Sequence, residues 1–235
     1  MRKLSPIVCF GIVTAILGTL ISFGIVQYGW NVSALLHMDT RFGHDHQVPS
    51  GVVLYEDGGY DGMLYYQVAR DIPLLIAGGK PTLDSPYRFQ RIVLPLLGYV
   101  LSVGKTALFP LSFLVLNVAA IVGSLFLMIR LSKGKNLYAL TAVLTPAMLV
   151  GMLYSLTEPL STFFLILFLV SWERYKKRVT LLSLLPLTLS LFARETTVFL
   201  IGLLLLWSLW KRQWKDAVLI VLPIIPFLCW QWFLE

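Results

Sequence analysis

Charge is scarce in this sequence. Only 13% of its 235 residues are Asp, Glu, Lys or Arg, against about 25% in an ordinary soluble domain. A water-soluble fold of this length could not cover its surface with so few charged side chains, so the solvent around it is expected to be lipid. Cysteine is scarcer still: Cys9 and Cys229 lie inside apolar runs near opposite ends of the chain, which reads as two small core residues rather than a disulfide. The sequence also has no Gly-rich phosphate loop, nucleophile elbow or zinc-helix motif. With no internal repeat or low-complexity tract, it reads as a single domain over 1–235.

What is abundant is apolar sequence: 57% of residues are hydrophobic and the mean hydropathy is +0.79. A helix needs about 20 apolar residues to cross roughly 30 Å of hydrocarbon, and fewer where it is tilted or shielded. This spacing predicts an all-α polytopic membrane protein with about seven spans, near 5–27, 107–131, 137–154, 159–173, 179–193, 197–210 and 216–234. The first follows Arg2 and Lys3 but has no small-residue cleavage site, so it reads as an uncleaved helix and not a signal peptide.

The net charge of +7 raises a nucleic-acid partner, and the position of the charges argues against one. Twelve of the 19 Lys and Arg residues fall in four clusters, at 2–3, 130–135, 174–178 and 211–215. Each cluster ends an apolar run, the pattern of cytoplasmic loops. With the N-terminus inside, all four lie in the cytoplasm, and residues 28–106, 155–158, 194–196 and the C-terminal end lie outside. The apolar stretch 92–104, IVLPLLGYVLSVG, reaches only about 20 Å as a helix. It reads as a re-entrant or interfacial half-helix, because a full span there would reverse every later loop.

Six of the seven Asp residues fall in the outer loop, approximately 28–106. There YEDGGYDGMLYYQVARDIP places Asp61 between two glycines ahead of a short helix of about two turns that Pro73 should stop. Tyr60, Leu64 and Val68 share one face, so the helix is expected to lie in the membrane interface with its tyrosines at headgroup level. Asp61 is either a plain N-cap or a catalytic carboxylate at the membrane surface. In SPYRFQRIVLPLL, Arg88 and Arg91 are three residues apart and suited to gripping a phosphate, or to snorkelling towards lipid phosphates.

Two outer turns carry conspicuous charges: Glu158 in YSLTEPLS, and Arg194 with Glu195 in LFARETTVF. Such groups face a cavity, a partner or each other. Asp61, Arg88, Arg91, Glu158, Arg194 and Glu195 all fall on the same side of the topology, which favours one polar site over six separate explanations. Tyr65, one turn beyond Asp61, joins them as a substrate-binding candidate. His44, Asp45 and His46 are a weak metal signal, and the sequon at Asn31 lies almost against the first span.

On these residues the chain resembles the GT-C superfamily of membrane glycosyltransferases, including GPI-type mannosyltransferases and bacterial multi-spanning relatives. GYDGMLYYQVARD resembles the Asp-initiated aromatic helix of their first outer loop, YRFQRIVLPLLGY their return to the membrane, and YSLTEPLS and FARETTVFL their later outer turns. The resemblance implies a module of about seven helices and inverting transfer of a sugar from a polyprenyl-phosphate donor. It implies Asp61 as general base, the arginines as phosphate grip, and no nucleotide or redox cofactor, with a divalent metal not indicated. Many relatives carry two neighbouring acids in that loop; here the nearest are Glu56 and Asp57. Many also carry further helices or a soluble C-terminal domain for acceptor recognition, whereas this sequence stops at Glu235, so a partner subunit supplying that recognition is an expectation. Two other classes fit the composition: a transporter or flippase of a lipid-linked saccharide, for which Asn117 is the main mid-span polar residue, and a non-catalytic subunit of an envelope-glycan assembly.

Overall fold

The computed structural model describes residues 4–234 apart from 47, 57, 80, 81, 84, 176 and 177. It is helical almost throughout: 74% of residues are in helices, and among the described residues the strands are limited to the two-residue parallel pair Met38–Asp39 and Leu54–Tyr55. Helix α1 is Pro6–Val26, started by Ser5, whose side chain accepts from the Val8 amide, and by Pro6 in the first turn. In the outer loop α2 is Thr40–Asp45, α3 Asp61–Ile76 and α4 Val93–Leu101. The rest is α5 Phe109–Leu131, α6 Asn136–Val143, α7 Pro146–Leu153, α8 Glu158–Arg174, α9 Leu181–Ala193, α10 Thr197–Trp210, α11 Trp214–Val221 and α12 Ile224–Leu234.

Among the described residues, three helical stretches are long and apolar enough to cross a membrane: Pro6–Val26, Thr106–Leu131 and Trp214–Leu234. The stretch expected as one span at 137–154 is two helices, α6 and α7, bent by 47°. The cause is local: Pro146 disfavours helical geometry in the residue before it, and Thr145 starts a new helix by accepting from the Met148 amide. If this bent pair counts as one span the total is four. Helices α9 and α10 are apolar but shorter, so the expected seven spans are not shown by helix length alone. Helix α4, at 9 residues, is about 13 Å long and too short to cross.

The core is built around α5 and α8. Gly123 of α5 receives the Phe163 ring of α8, and a Cβ there would lie 2.7 Å from that ring. Small residues allow such close approach between apolar helices. Helices α8 and α9 are stitched by reciprocal hydrogen bonds: the Ser161 hydroxyl donates to the Ser190 carbonyl at 3.3 Å, and the Ser190 hydroxyl to the Ser161 carbonyl at 3.0 Å. Thr197 of α10 donates to the same Ser190 carbonyl at 3.2 Å. Cys9 is buried, as expected, whereas Cys229 is exposed on α12 and belongs to no core.

These contacts sort the connections to two ends of the bundle. At one end the Asn136 amide donates to the Leu4 carbonyl, Lys133 approaches Glu173, and Arg178 pairs with Asp216. At the other end Glu158 pairs with Arg194, and Trp230 and Gln231 of α12 reach the loop at Phe89 and Gln90. Connections read from sequence as cytoplasmic thus gather at one end, and those read as outer at the other.

Candidate functional site

Helix α3 begins at Asp61, but the N-cap position is Tyr60 and no side chain caps the helix. The N-cap reading of Asp61 is therefore corrected: its carboxylate occupies the first turn, where the helix dipole favours negative charge, and reaches outward. Gly62 follows for a steric reason. A Cβ there would run into the Tyr154 carbonyl and lie 2.8 Å from the Leu36 carbonyl oxygen, so only glycine lets α3 start pressed against the α7–α8 turn.

The helix also does not stop at Pro73. It continues to Ile76, because a proline in the last turn removes only one backbone hydrogen bond near an end that frays anyway. Nor does it present its tyrosines to headgroups. Leu64 through Ala69 are all buried, Tyr65 at 3% and Tyr66 at 0% exposure, while Tyr60 stays half exposed against Tyr154. The helix is a packed strut of the outer layer.

Arg88 lies in the 3-10 turn Pro86–Gln90 and Arg91 just beyond it. The Arg91 guanidinium is the hub of the site. Its Nε and Nη2 donate to the two oxygens of Glu195 at 2.8 and 2.6 Å. Its Nη1 donates to the Tyr65 hydroxyl at 3.1 Å and lies 3.5 Å from the Asp61 carboxylate. Glu158, the first residue of α8, pairs with Arg194, the residue before Glu195. Asp61, Tyr65, Arg91 and Glu195 are thus in direct contact, Arg88 lines the same cleft, and the Glu158–Arg194 pair is joined to them through one peptide bond. All seven candidates converge. Two expectations change, however: Arg91 and Arg194 are both already held by carboxylates, so neither is an open phosphate grip.

The electrostatics follow from the pairing. Burial pulls the Glu195 carboxyl upward, but the Arg91 hydrogen bonds, a backbone amide and the Arg91 and Arg194 charges outweigh it, leaving Glu195 below the usual carboxylate range. The Glu195 hydrogen bonds hold Arg91 protonated more firmly than a free guanidinium, against the opposing effect of burial. Burial also raises the Tyr65 phenol, which Arg91 only partly offsets. Tyr65 therefore serves as a neutral hydroxyl.

The cleft lined by Asp61, Leu64, Arg88, Gln90 and Arg91 is half open, with a volume of ≈ 120 Å³. A larger groove of ≈ 480 Å³ adjoins it, sharing Leu64 and Arg88 and reaching Asp39, Asp45 and His46. His46 stacks on Phe42 and its carbonyl accepts from Arg70 at 2.8 Å. Among the described residues no group of three or more His, Cys, Asp or Glu is arranged to hold a metal. The Asn31 amide is engaged, donating to the Gly51 carbonyl at 2.7 Å and accepting from the Ser33 amide at 3.0 Å. Glu56 is exposed, and Asp57, its neighbour as a second acid, lies outside the described residues.

Sequence reasoning missed the back wall of the site. The Trp230 indole donates to the Phe89 carbonyl at 3.1 Å, and Gln231 donates to the Gln90 side-chain oxygen at 3.1 Å. Gln231 is the one amide side chain in the apolar run 217–234, and that isolation was the available signal. No protein-family model matches the chain, and neither a curated protein nor a solved structure shows significant similarity to it.

Proposed function

We propose that this protein is a membrane glycosyltransferase that moves a sugar from a polyprenyl-phosphate donor to an acceptor hydroxyl at the non-cytoplasmic face. The observation that carries the reading is the meeting, at one end of an apolar bundle, of the half-exposed Asp61 carboxylate with Arg91, beside a cleft that Arg88 also lines. A base and cations at one place are what transfer from a phosphate ester requires. In this reading the seven passes α1, α5, α6–α7, α8, α9, α10 and α11–α12 all cross the bilayer, the short ones shielded by their neighbours. The basic clusters then orient the N-terminus to the cytoplasm.

The chemistry is a single inverting displacement. Asp61 takes the proton of the acceptor hydroxyl as its oxygen forms a bond to the anomeric carbon, and the bond from that carbon to the phosphate oxygen breaks. The electron pair stays on the phosphate, whose charge the arginines neutralise. Because Arg91 starts on Glu195 and Asp61, an arriving phosphate must compete for it. Drawing Arg91 from Asp61 frees that carboxylate to act as a base when donor is present. General-base assistance contributes roughly 10²–10⁴-fold, and charge stabilisation of the leaving phosphate can be as large.

The test is to incubate membranes containing the protein with radiolabelled polyprenyl-phosphate sugars and candidate acceptors. Consumption of one donor supports the reading and names the sugar. If correctly folded protein consumes none, the reading fails.

A further inference from the structure

The basic end of the bundle carries a patch that the transfer chemistry leaves untouched. Where α10 turns into α11, the sequence WSLWKRQWK sets three tryptophans and three cations side by side. Trp210 and Trp214 are 73% and 66% exposed, and Lys211, Arg212 and Lys215 are exposed beside them. Trp207 and Trp210 meet edge to face with ring centroids 5.5 Å apart, and the Lys211 ammonium lies 5.1 and 4.5 Å from those two centroids. A lysine held over indole faces lays its stem on apolar surface and keeps its charge in reach of the solvent.

The exposed charge here is of one sign. Asp216 is the one acid between residues 197 and 234. It is 5% exposed and is met at 3.3 Å by Arg178 from the α8–α9 connection, so its charge is neutralised inside the fold. Lys211, Arg212 and Lys215 have no ion-pair partner among the described residues. Depth follows from the apolar lengths. Trp214 is the first residue of Trp214–Leu234, a stretch long and apolar enough to cross a membrane, and the apolar α10 ends at Trp210. The tryptophans thus mark the edge of the hydrocarbon, where indoles favour the headgroup level, with the cations beside them. A soluble anion would match the cations and leave the indoles uncovered, and a neutral lipid would do the reverse. An anionic phospholipid matches both, its phosphate against the cations and its glycerol and upper acyl chains against the rings.

We propose that the α10–α11 turn is a binding site for the headgroup of an anionic phospholipid, gripped by Lys211, Arg212 and Lys215 and seated on Trp207, Trp210 and Trp214. Helix α10, with 14 residues, is about 21 Å long and separates this turn from Glu195. The lipid site is therefore distinct from the cleft at Asp61 and Arg91, and it stands whether or not that cleft transfers a sugar.

The test is calorimetric titration of the purified full-length protein, in a neutral detergent, with dioctanoyl phosphatidylglycerol, dioctanoyl phosphatidylcholine and glycerol phosphate. Phosphatidylglycerol should bind about tenfold or more tightly than either control. Arg212→Gln should cut that preference by about two- to fivefold, and the triple variant Lys211→Gln, Arg212→Gln, Lys215→Gln by about tenfold or more, at an unchanged unfolding midpoint. Lys133→Gln, at the same end of the bundle, should leave the preference as it is. Equal affinity for phosphatidylcholine overturns the proposal, and glycerol phosphate binding as tightly as the lipid overturns the lipid as occupant. Wild-type preference retained in folded Arg212→Gln or in the folded triple variant overturns the placement of the site at this turn.

Discussion

Both ends of the bundle carry ion pairs, and they are built differently. At the basic end Lys133 and Glu173 are 3.9 Å apart with side chains 82% and 49% exposed, and an Arg178 side chain that is 58% exposed meets the buried Asp216 at 3.3 Å. At the acidic end Arg91 and Glu195 make two short hydrogen bonds with side chains only 21% and 26% exposed, and the same guanidinium also meets Tyr65 and Asp61. Solvated pairs of the first kind contribute little to stability. Half-buried, multiply bonded groups lose heavily when one partner is removed, because the other is stranded. Charge at a helix end is therefore not one category. The number of partners and the degree of exposure separate a solvated charge from a packed, multiply bonded one.

That contrast can be broken by substitution, and the largest effect is expected at the hub. Arg91→Met strands Glu195 and Asp61 together. It should abolish transfer and lower stability by about 2–4 kcal/mol, given burial that is partial on both sides, read by thermal unfolding and donor turnover. Gly62→Ala should follow, at about 1–3 kcal/mol, since its methyl group meets the Tyr154 and Leu36 carbonyls and pushes the start of α3 off the α7–α8 turn. At the other end Lys133→Gln should change stability by less than about 0.5 kcal/mol and leave turnover intact. Equal losses at the two ends would remove the distinction.

The pH dependence sharpens the same comparison. Glu195 has a folded pKa below its ordinary value of 4.5, so its stabilisation is fully present above pH 4.5 and is lost as pH falls through the lowered folded value. The difference in unfolding midpoint between wild type and Glu195→Gln should accordingly be constant near neutrality and shrink below pH 4.5. A difference that grows on acidification would mean that the pair does not hold Glu195 ionised.

Much of this arrangement was legible in the sequence, for identifiable reasons. Apolar length and the placement of Lys and Arg sorted the connections to two ends, because lipid and charge leave composition little freedom. The rule of a charge in a turn too short to waste one found Glu158, Arg194 and Glu195. What the sequence did not reveal is pairing. Arg91 and Glu195 are 104 residues apart, and nothing in either motif says that the guanidinium is occupied by a carboxylate. The Pro73 stop failed because the proline falls in a last turn, and the interfacial helix failed because Gly62 draws α3 into the packed layer. Cys229 and Gln231 lie in the same apolar helix, where hydropathy cannot tell an outward side chain from one that reaches the site.

The most direct measurement is the turnover of labelled polyprenyl-phosphate sugar by Asp61→Asn, compared with wild type at equal membrane content and equal unfolding midpoint. Asn preserves size and polarity but cannot take a proton, so a site reaction predicts a loss of about 10²–10⁴-fold. Undiminished turnover would contradict the account and leave Asp61 as one more charge tying the outer turns together.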